Sequence, residues 1–179
     1  MAADRDAPEQ IVWQGKYLTT KKRGRWEYVG RARGIRAAAI LAVEDGHVLL
    51  VEQYRVPLGK VCLELPAGLI GDDEGLEGEE AEAAATRELE EETGYRADRM
   101  ESCGEFFSSP GMVSESFTLM RARGLTKVGD GGGTDSEDIT VHRVPLADLP
   151  RFVAERRTLG HGIDVRIAML LAAGFIGED

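Results

Sequence analysis

Nine consecutive residues constrain this chain more than any other stretch: Arg87-Glu88-Leu89-Glu90-Glu91-Glu92-Thr93-Gly94-Tyr95. On a helix turning about 100° per residue, Glu88, Glu91 and Glu92 fall within an arc of about 100°, so three carboxylates share one face. Like charges one turn apart, as in Glu88 and Glu92, cost an isolated helix about 0.2–0.5 kcal/mol, and either solvent or a bound cation must offset that. With oxygen ligands and no His or Cys nearby, magnesium or manganese is favoured over zinc, and such an ion keeps several waters and binds phosphate oxygens as well. Arg87 is placed to pair with Glu91 one turn on and to orient it.

The formal charge of -10 has its source around this string. Residues 72 to 92 hold eleven carboxylates against one cation, Arg87, while the rest of the chain balances at 21 against 21. A local acidic patch of this kind argues against general nucleic-acid affinity.

At 179 residues the chain has the length of one globular domain. The longest apolar runs, 37 to 43 and 167 to 173, are far short of the roughly 20 residues that span a bilayer, so no membrane segment is expected. The amino terminus lacks the basic start and apolar stretch of a secretory signal, which makes the cytoplasm the expected compartment. Cys62 and Cys103 fit it as two reduced core thiols.

Residues 1 to 9 are polar and expected to fray. Strand-like runs at 11 to 18 and 26 to 29 read as an antiparallel extension, which separates residues 1 to 34 from a main domain over 35 to 179. Runs at 37 to 43 and 47 to 54 flank Asp45-Gly46, a hairpin signal. A strand at 62 to 65 ends at Pro66-Ala67-Gly68, after which an acidic, glycine-bearing loop leads to a helix over 79 to 93, closed by Gly94. Further strands are expected at 102 to 108, 116 to 123 and 139 to 144, and closing helices at 145 to 157 and 164 to 175. The second helix carries Ile167, Leu170, Leu171 and Phe175 at helical spacing. The glycines of 129 to 133 lack the Lys-Ser/Thr of a phosphate loop and read as a mobile tip.

A glutamate-rich helix alone is more often a solvated surface, but the ordered string of nine resembles the box of the Nudix hydrolases. That box reads Gly, five residues, Glu, seven residues, then Arg-Glu-hydrophobe-any-Glu-Glu-any-Gly-hydrophobe. Residues 87 to 95 match every fixed position and Glu79 supplies the earlier glutamate; Asp73 stands where the glycine is expected, and Gly68 is the equivalent turn glycine, behind a longer loop. The resemblance implies the α-β-α sandwich of that family, with a mixed central sheet flanked by helices.

Over residues 17 to 144 the chain is similar to the ADP-ribose pyrophosphatase branch. Its signature stretches are Glu52-Gln53-Tyr54-Arg55, Leu63-Glu64-Leu65-Pro66-Ala67-Gly68, Ser108-Ser109-Pro110-Gly111 with Glu115, and Asp135-Ser136-Glu137-Asp138-Ile139. By that resemblance the Ala67 carbonyl, Glu88 and Glu92 bind metal, with Glu137 reaching in from a loop. Arg55 contacts the diphosphate, Trp26 and more distantly Tyr17 stack on the base, Glu27 hydrogen-bonds it, Arg31 meets phosphate, and Gly111 belongs to the substrate loop. Asp135 is implied as the base that activates water, with Glu115 or Glu91 as alternatives sharing the role. Trp26 reads equally well as a core or dimer-contact aromatic.

Residues 1 to 60 carry eleven Lys/Arg against seven Asp/Glu, so a cationic part of the site complements the acidic helix. The implied reaction is magnesium- or manganese-assisted hydrolysis of ADP-ribose to AMP and ribose 5-phosphate. The alternatives are another nucleotide sugar such as GDP-mannose, and a sensor that binds ADP-ribose without turnover. The resemblance further implies a homodimer in which the N-terminal strands help build the partner's site, with small-molecule nucleotide sugars and no nucleic acid or membrane as partner. Other chemistry is poorly supported. His47, His142 and His161 are scattered without ligand spacing, Ser114 lacks the Gly-x-Ser-x-Gly elbow, and no basic stripe interleaved with aromatics is present.

Overall fold

The computed structural model describes residues 2–32, 35–71, 80–134 and 137–176. In chain order the elements are α1 (Ala2–Arg5), β1 (Glu9–Gln14), β2 (Leu18–Arg23), β3 (Trp26–Arg31), β4 (Arg36–Glu44), β5 (His47–Arg55), β6 (Lys60–Glu64), β7 (Ala67–Ile70) and α2 (Ala81–Thr93). There follow β8 (Tyr95–Phe107), β9 (Ser116–Lys127), β10 (Thr140–Pro145), α3 (Leu149–Thr158), β11 (Gly162–Ile163), α4 (Ile167–Leu170) and α5 (Ala172–Ile176). Among the described residues no helix is long and apolar enough to cross a membrane.

The first three strands form the expected antiparallel extension, with one strand more than the sequence suggests. The run 11 to 18 breaks at Gly15, whose N–H donates to the Leu18 carbonyl at 2.8 Å. The chain then returns as β2, Leu-Thr-Thr-Lys-Lys-Arg, which lacks apolar alternation and is held between two neighbours, with Lys21 3.0 Å from Glu9. Nor does the amino terminus fray: Asp4 accepts the Arg25 backbone N–H at 3.1 Å and its guanidinium at 2.8 Å.

Strands β4 and β5 make the expected hairpin, with Asp45 (φ 49°) and Gly46 (φ 70°) both left-handed, as the turn that matches strand twist requires. Only Val43 with Val48 and Glu44 with His47 pair across it. Beyond them β9 runs parallel along one edge of β4, while β7 takes the first part of the other edge. β5 turns to pair with β6 and β10, and β6 in turn carries the two-residue β11. The result is a mixed eight-stranded sheet.

Alternate residues of β4 face two cores. Ala38, Ile40 and Ala42 pack with Ala84, Ala85 and Leu89 of α2, whose small side chains let the helix lie close, whereas Ala39 packs with Leu50, Leu63, Leu119 and with Leu149 and Val153 of α3. Leu89 is fully buried, which contributes about 1.5–3 kcal/mol to seating the helix on the sheet. This is the α-β-α layering expected from the sequence.

Four sequence expectations need correction here. Ala67-Gly68, read as the end of the turn before the acidic loop, begins a further strand, β7, paired antiparallel with β4. The last helix is broken into α4 and α5, and Phe175 is 60% exposed, so its helical spacing does not reach the core. Both thiols are free, yet only Cys62 is a core thiol; Cys103 is exposed, at the irregularity in the β8–β9 pairing between Ser102 and Glu105. Finally, the glycines of 129 to 133 are packed against the end of α2. Gly132 N–H donates to the Glu92 carbonyl at 2.9 Å and Gly133 N–H to the Glu91 carbonyl at 3.0 Å, satisfying the last helical acceptors. Gly131 has φ +70°, and a Cβ there would overlap the backbone of Glu92 and Thr93, which is why the approach needs glycine.

Candidate active site

The helix α2 and the strand β7 bring the carboxylates together. Gly94 closes α2 in the left-handed conformation, its N–H on the Glu90 carbonyl at 2.9 Å, which fixes the register of the last turn. One turn earlier, Glu88 lies across β7 at Gly68, where any Cβ would occupy the space of its carboxyl group. Glu92 is 3% exposed and accepts the Ala67 backbone N–H at 3.0 Å. Arg87 bonds both Glu91, at 3.1 Å, and Glu88, at 2.9 Å, so it spans the acidic face as its position in the sequence suggests.

Burial pushes the Glu92 carboxyl up to about 8, and the charges of Glu88 and Glu137 push it the same way against the Ala67 hydrogen bond. Burial likewise raises Glu88, with Arg87 opposing and Glu91 and Glu137 adding to the rise. Two carboxylates one turn apart, Glu88 shared with Arg87 and Glu92 bonded by the Ala67 N–H, form a receptive place for a divalent ion. Among the described residues no three His, Cys, Asp or Glu side chains meet closely enough to hold an ion by themselves. The donors present suit an ion that completes its shell with water and substrate phosphate, as magnesium does.

These groups line a cavity of about 550 Å³ whose other wall is cationic. There Arg55 forks onto Glu64, Nε to Oε1 at 2.6 Å and Nη2 to Oε2 at 2.7 Å, and Arg31 donates from Nε to Glu115 at 2.6 Å. Glu137 enters from the loop that follows the capping glycines, its Oε2 accepting Thr134 N–H at 3.0 Å and Thr134 hydroxyl at 3.2 Å. The capping glycines therefore tie this loop to the last turn of α2, the turn that carries Glu92.

The cavity gathers Arg31, Arg55, Ala67, Glu88, Glu91, Glu92, Glu115 and Glu137 from the residues singled out in the sequence. Trp26 and Gly111 lie elsewhere, in a second and more apolar cavity of about 830 Å³ between the N-terminal sheet and the loop after β8, with Tyr28, Phe107 and Val113. That loop is latched to β3: Val29 N–H donates to Met112 O at 3.0 Å and Ser114 N–H to Val29 O at 2.9 Å. Tyr17 and Glu27 line neither of these two cavities; Tyr17 is 49% exposed beside Lys16. Asp135, Glu79 and residues 72 to 78 lie outside the described residues. Sequence reasoning gave no role to Gln53, Phe117, Asp164 or Arg166, which also line the first cavity, nor to Glu64, which lies behind Arg55. Glu64 stood inside a quoted motif, whereas nothing in the local sequence marks Asp164 and Arg166.

A match to the NUDIX domain spans residues 32–161. A methanol dehydrogenase activator of Bacillus methanolicus is 36% identical over 123 residues, 68% of this chain and 64% of that protein. An ADP-ribose pyrophosphatase of Bacillus subtilis (strain 168) is 37% identical over 122 residues, 67% of this chain and 63% of the relative. The matches thus span less than two thirds of these relatives' own length. A crystal structure described as that of an ADP compounds hydrolase superposes with a TM-score of 0.64 at 24% identity, covering 82% of this chain and 80% of that one, and it shows the shared fold.

Proposed function

The chain belongs to the Nudix domain family, and from that premise we propose that it hydrolyses the diphosphate of ADP-ribose to AMP and ribose 5-phosphate. One observation carries the reading: a carboxylate pair, half-buried Glu88 and buried Glu92, faces Arg31 and Arg55 across one cavity. Glu88, Glu92 and the Ala67 carbonyl would hold magnesium, with manganese as the substitute. When bound, the ion polarises phosphorus and lowers the pKa of a coordinated water.

The remaining work falls to the chain's own groups. Arg55 and Arg31 neutralise and orient the diphosphate. Arg31 leaves Glu115 to do so, an exchange of one anionic partner for another. Glu91 is engaged by Arg87, and Glu115 by Arg31 before the diphosphate takes its place. We assign the proton from the attacking water to Glu137, which is bonded by Thr134 and positioned through the glycine segment, with Asp135 two residues earlier as the competing base.

Trp26, with Glu27 and Gly111 nearby in sequence or space, is our choice for the base subsite, and Tyr17 the outer platform. The N-terminal sheet leaves Ile11, Val12 and Trp13 more than half exposed, a surface suited to a second copy of the chain, so we propose a homodimer. The free thiols fit a cytoplasmic setting.

Phosphatase-coupled phosphate release from a panel of nucleotide sugars with magnesium tests the reading. ADP-ribose should be turned over at least about tenfold faster than GDP-mannose. The reverse order would reassign the sugar, and tight ADP-ribose binding with no turnover would make the protein a sensor.

A further inference from the structure

Buried carboxylates sit on both faces of the β5–β6 pair. Residues directly opposite in an antiparallel ladder share a face. The register sets Glu52 against Leu63 and Val51 against Glu64, so Glu52 and Glu64 point to opposite sides. The segment from 156 to 166 wraps this edge of the sheet and is gripped on both. On the α3 side, Glu52 takes Arg156 at 2.6 Å, His161 Nδ1 at 3.1 Å and His142 Nε2 at 3.0 Å. Between the two grips β11 pairs in parallel with Cys62 and Leu63. On the cavity side, Arg166 Nη2 reaches Glu64 Oε2 at 3.3 Å.

We propose that Arg166 is a positioning residue for the diphosphate-binding arginine: it holds Glu64, and Glu64 in turn fixes the plane of the Arg55 guanidinium. The inference rests on the reading of Arg55 as a substrate ligand. Glu64 is only 4% exposed and serves both arginines, while Arg166 is itself clamped by Asp164, Nε to Oδ1 at 2.7 Å and Nη2 to Oδ2 at 3.0 Å. Asp164 also accepts the Arg166 backbone N–H at 2.8 Å, and the Arg166 guanidinium lies over the Phe117 ring at 5.5 Å.

Charge therefore alternates along the row Asp164, Arg166, Glu64, Arg55. Recognition of a phosphate by a guanidinium depends on the orientation of its planar fork. A carboxylate with one arginine can rotate; one tied to two arginines from different elements cannot do so without breaking a bond. Arg166 thus spares the site the ordering of Arg55 when substrate binds. In this scheme Arg166 acts on the substrate through Glu64 and Arg55.

A mutant cycle tests the inference. Arg166→Leu is expected to raise KM for ADP-ribose, and Kd for ADP with magnesium, about tenfold while kcat changes less than about threefold. Arg166→Lys, which keeps the charge but not the fork, should fall between. In an Arg55→Ala background, Arg166→Leu should add less than about twofold, because its route to the ligand is gone. Should Arg166→Leu fail to fold, Asp164→Asn carries the same cycle with an effect of about threefold. Effects that multiply across the cycle, or a lower Tm with unchanged KM and Kd, would overturn the inference. If Arg55→Ala alone keeps wild-type affinity, the substrate reading fails and this inference with it, whereas a large Arg55 effect beside a multiplicative Arg166 effect sinks the inference alone.

Discussion

The two walls of the cavity are built on opposite electrostatic plans. On the α2 wall like charges crowd together: burial raises Glu88 and Glu92, Glu91 and Glu137 add to the rise of Glu88, Glu88 and Glu137 add to that of Glu92, and Arg87 bonds Glu88 and Glu91. On the strand wall unlike charges alternate, with Arg55, Glu64, Arg166 and Asp164 each paired on the protein. The strand wall is complete as it stands. The helix wall keeps the ionised form of Glu92 at a cost, and a divalent cation bound there, as proposed, would offset it.

Breaking the helix wall should have the largest effect. Glu92→Gln keeps the shape and the Ala67 contact but removes the carboxylate that can ionise to meet the ion, and turnover of ADP-ribose should fall about a thousandfold with the melting temperature held or raised. Measured together, a rate within tenfold of wild type at limiting magnesium would remove Glu92 from the reaction. Glu137→Gln should follow, with a single-turnover rate lower by about a hundredfold and a greater loss than Asp135→Asn, while both variants bind substrate nearly as wild type. Wild-type rates in both would take the loop out of the mechanism.

Breaking the strand wall should cost stability before chemistry. Glu64→Gln leaves two guanidinium groups without their shared anion, and because Arg55 is 39% exposed the loss sits near the low end of the usual range, about 3 kcal/mol. Calorimetry should then show Tm lower by roughly 6–12 °C for a chain of this size. An unchanged Tm would mean that the alternating row does not support the wall.

The two walls also differ in how visible they are in the sequence. The carboxylate face comes from one unbroken string on one helix, so spacing alone brings Glu88, Glu91 and Glu92 together. The strand wall joins Arg55 and Glu64 to Asp164 and Arg166, 100 or more residues further along. These are delivered by β11, two residues long and without any strand signal of its own. The same reason hides β2, whose Leu-Thr-Thr-Lys-Lys-Arg is held by its neighbours, and β7, whose four residues read as the end of a turn. The glycines at 129 to 133 signal flexibility when read locally. In the fold they allow a close approach to the carbonyls of Glu91 and Glu92, a tertiary fact that composition cannot carry.

Proton release on cation binding tests the central claim most directly. Because the Glu92 carboxyl is pushed up to about 8 from the ordinary carboxylate value of 4.5, the fold favours its protonated form. That contribution to stability is full below about 4.5 and is lost as pH rises from there through about 8. A cation takes the ionised form, so at pH 7 its binding must expel that proton. Titrating magnesium into the wild-type protein by calorimetry, in buffers of different ionisation enthalpy, should show release of about one proton per ion at pH 7 that vanishes in Glu92→Gln. Magnesium binding with no proton released, or the same release from both proteins, would contradict the account.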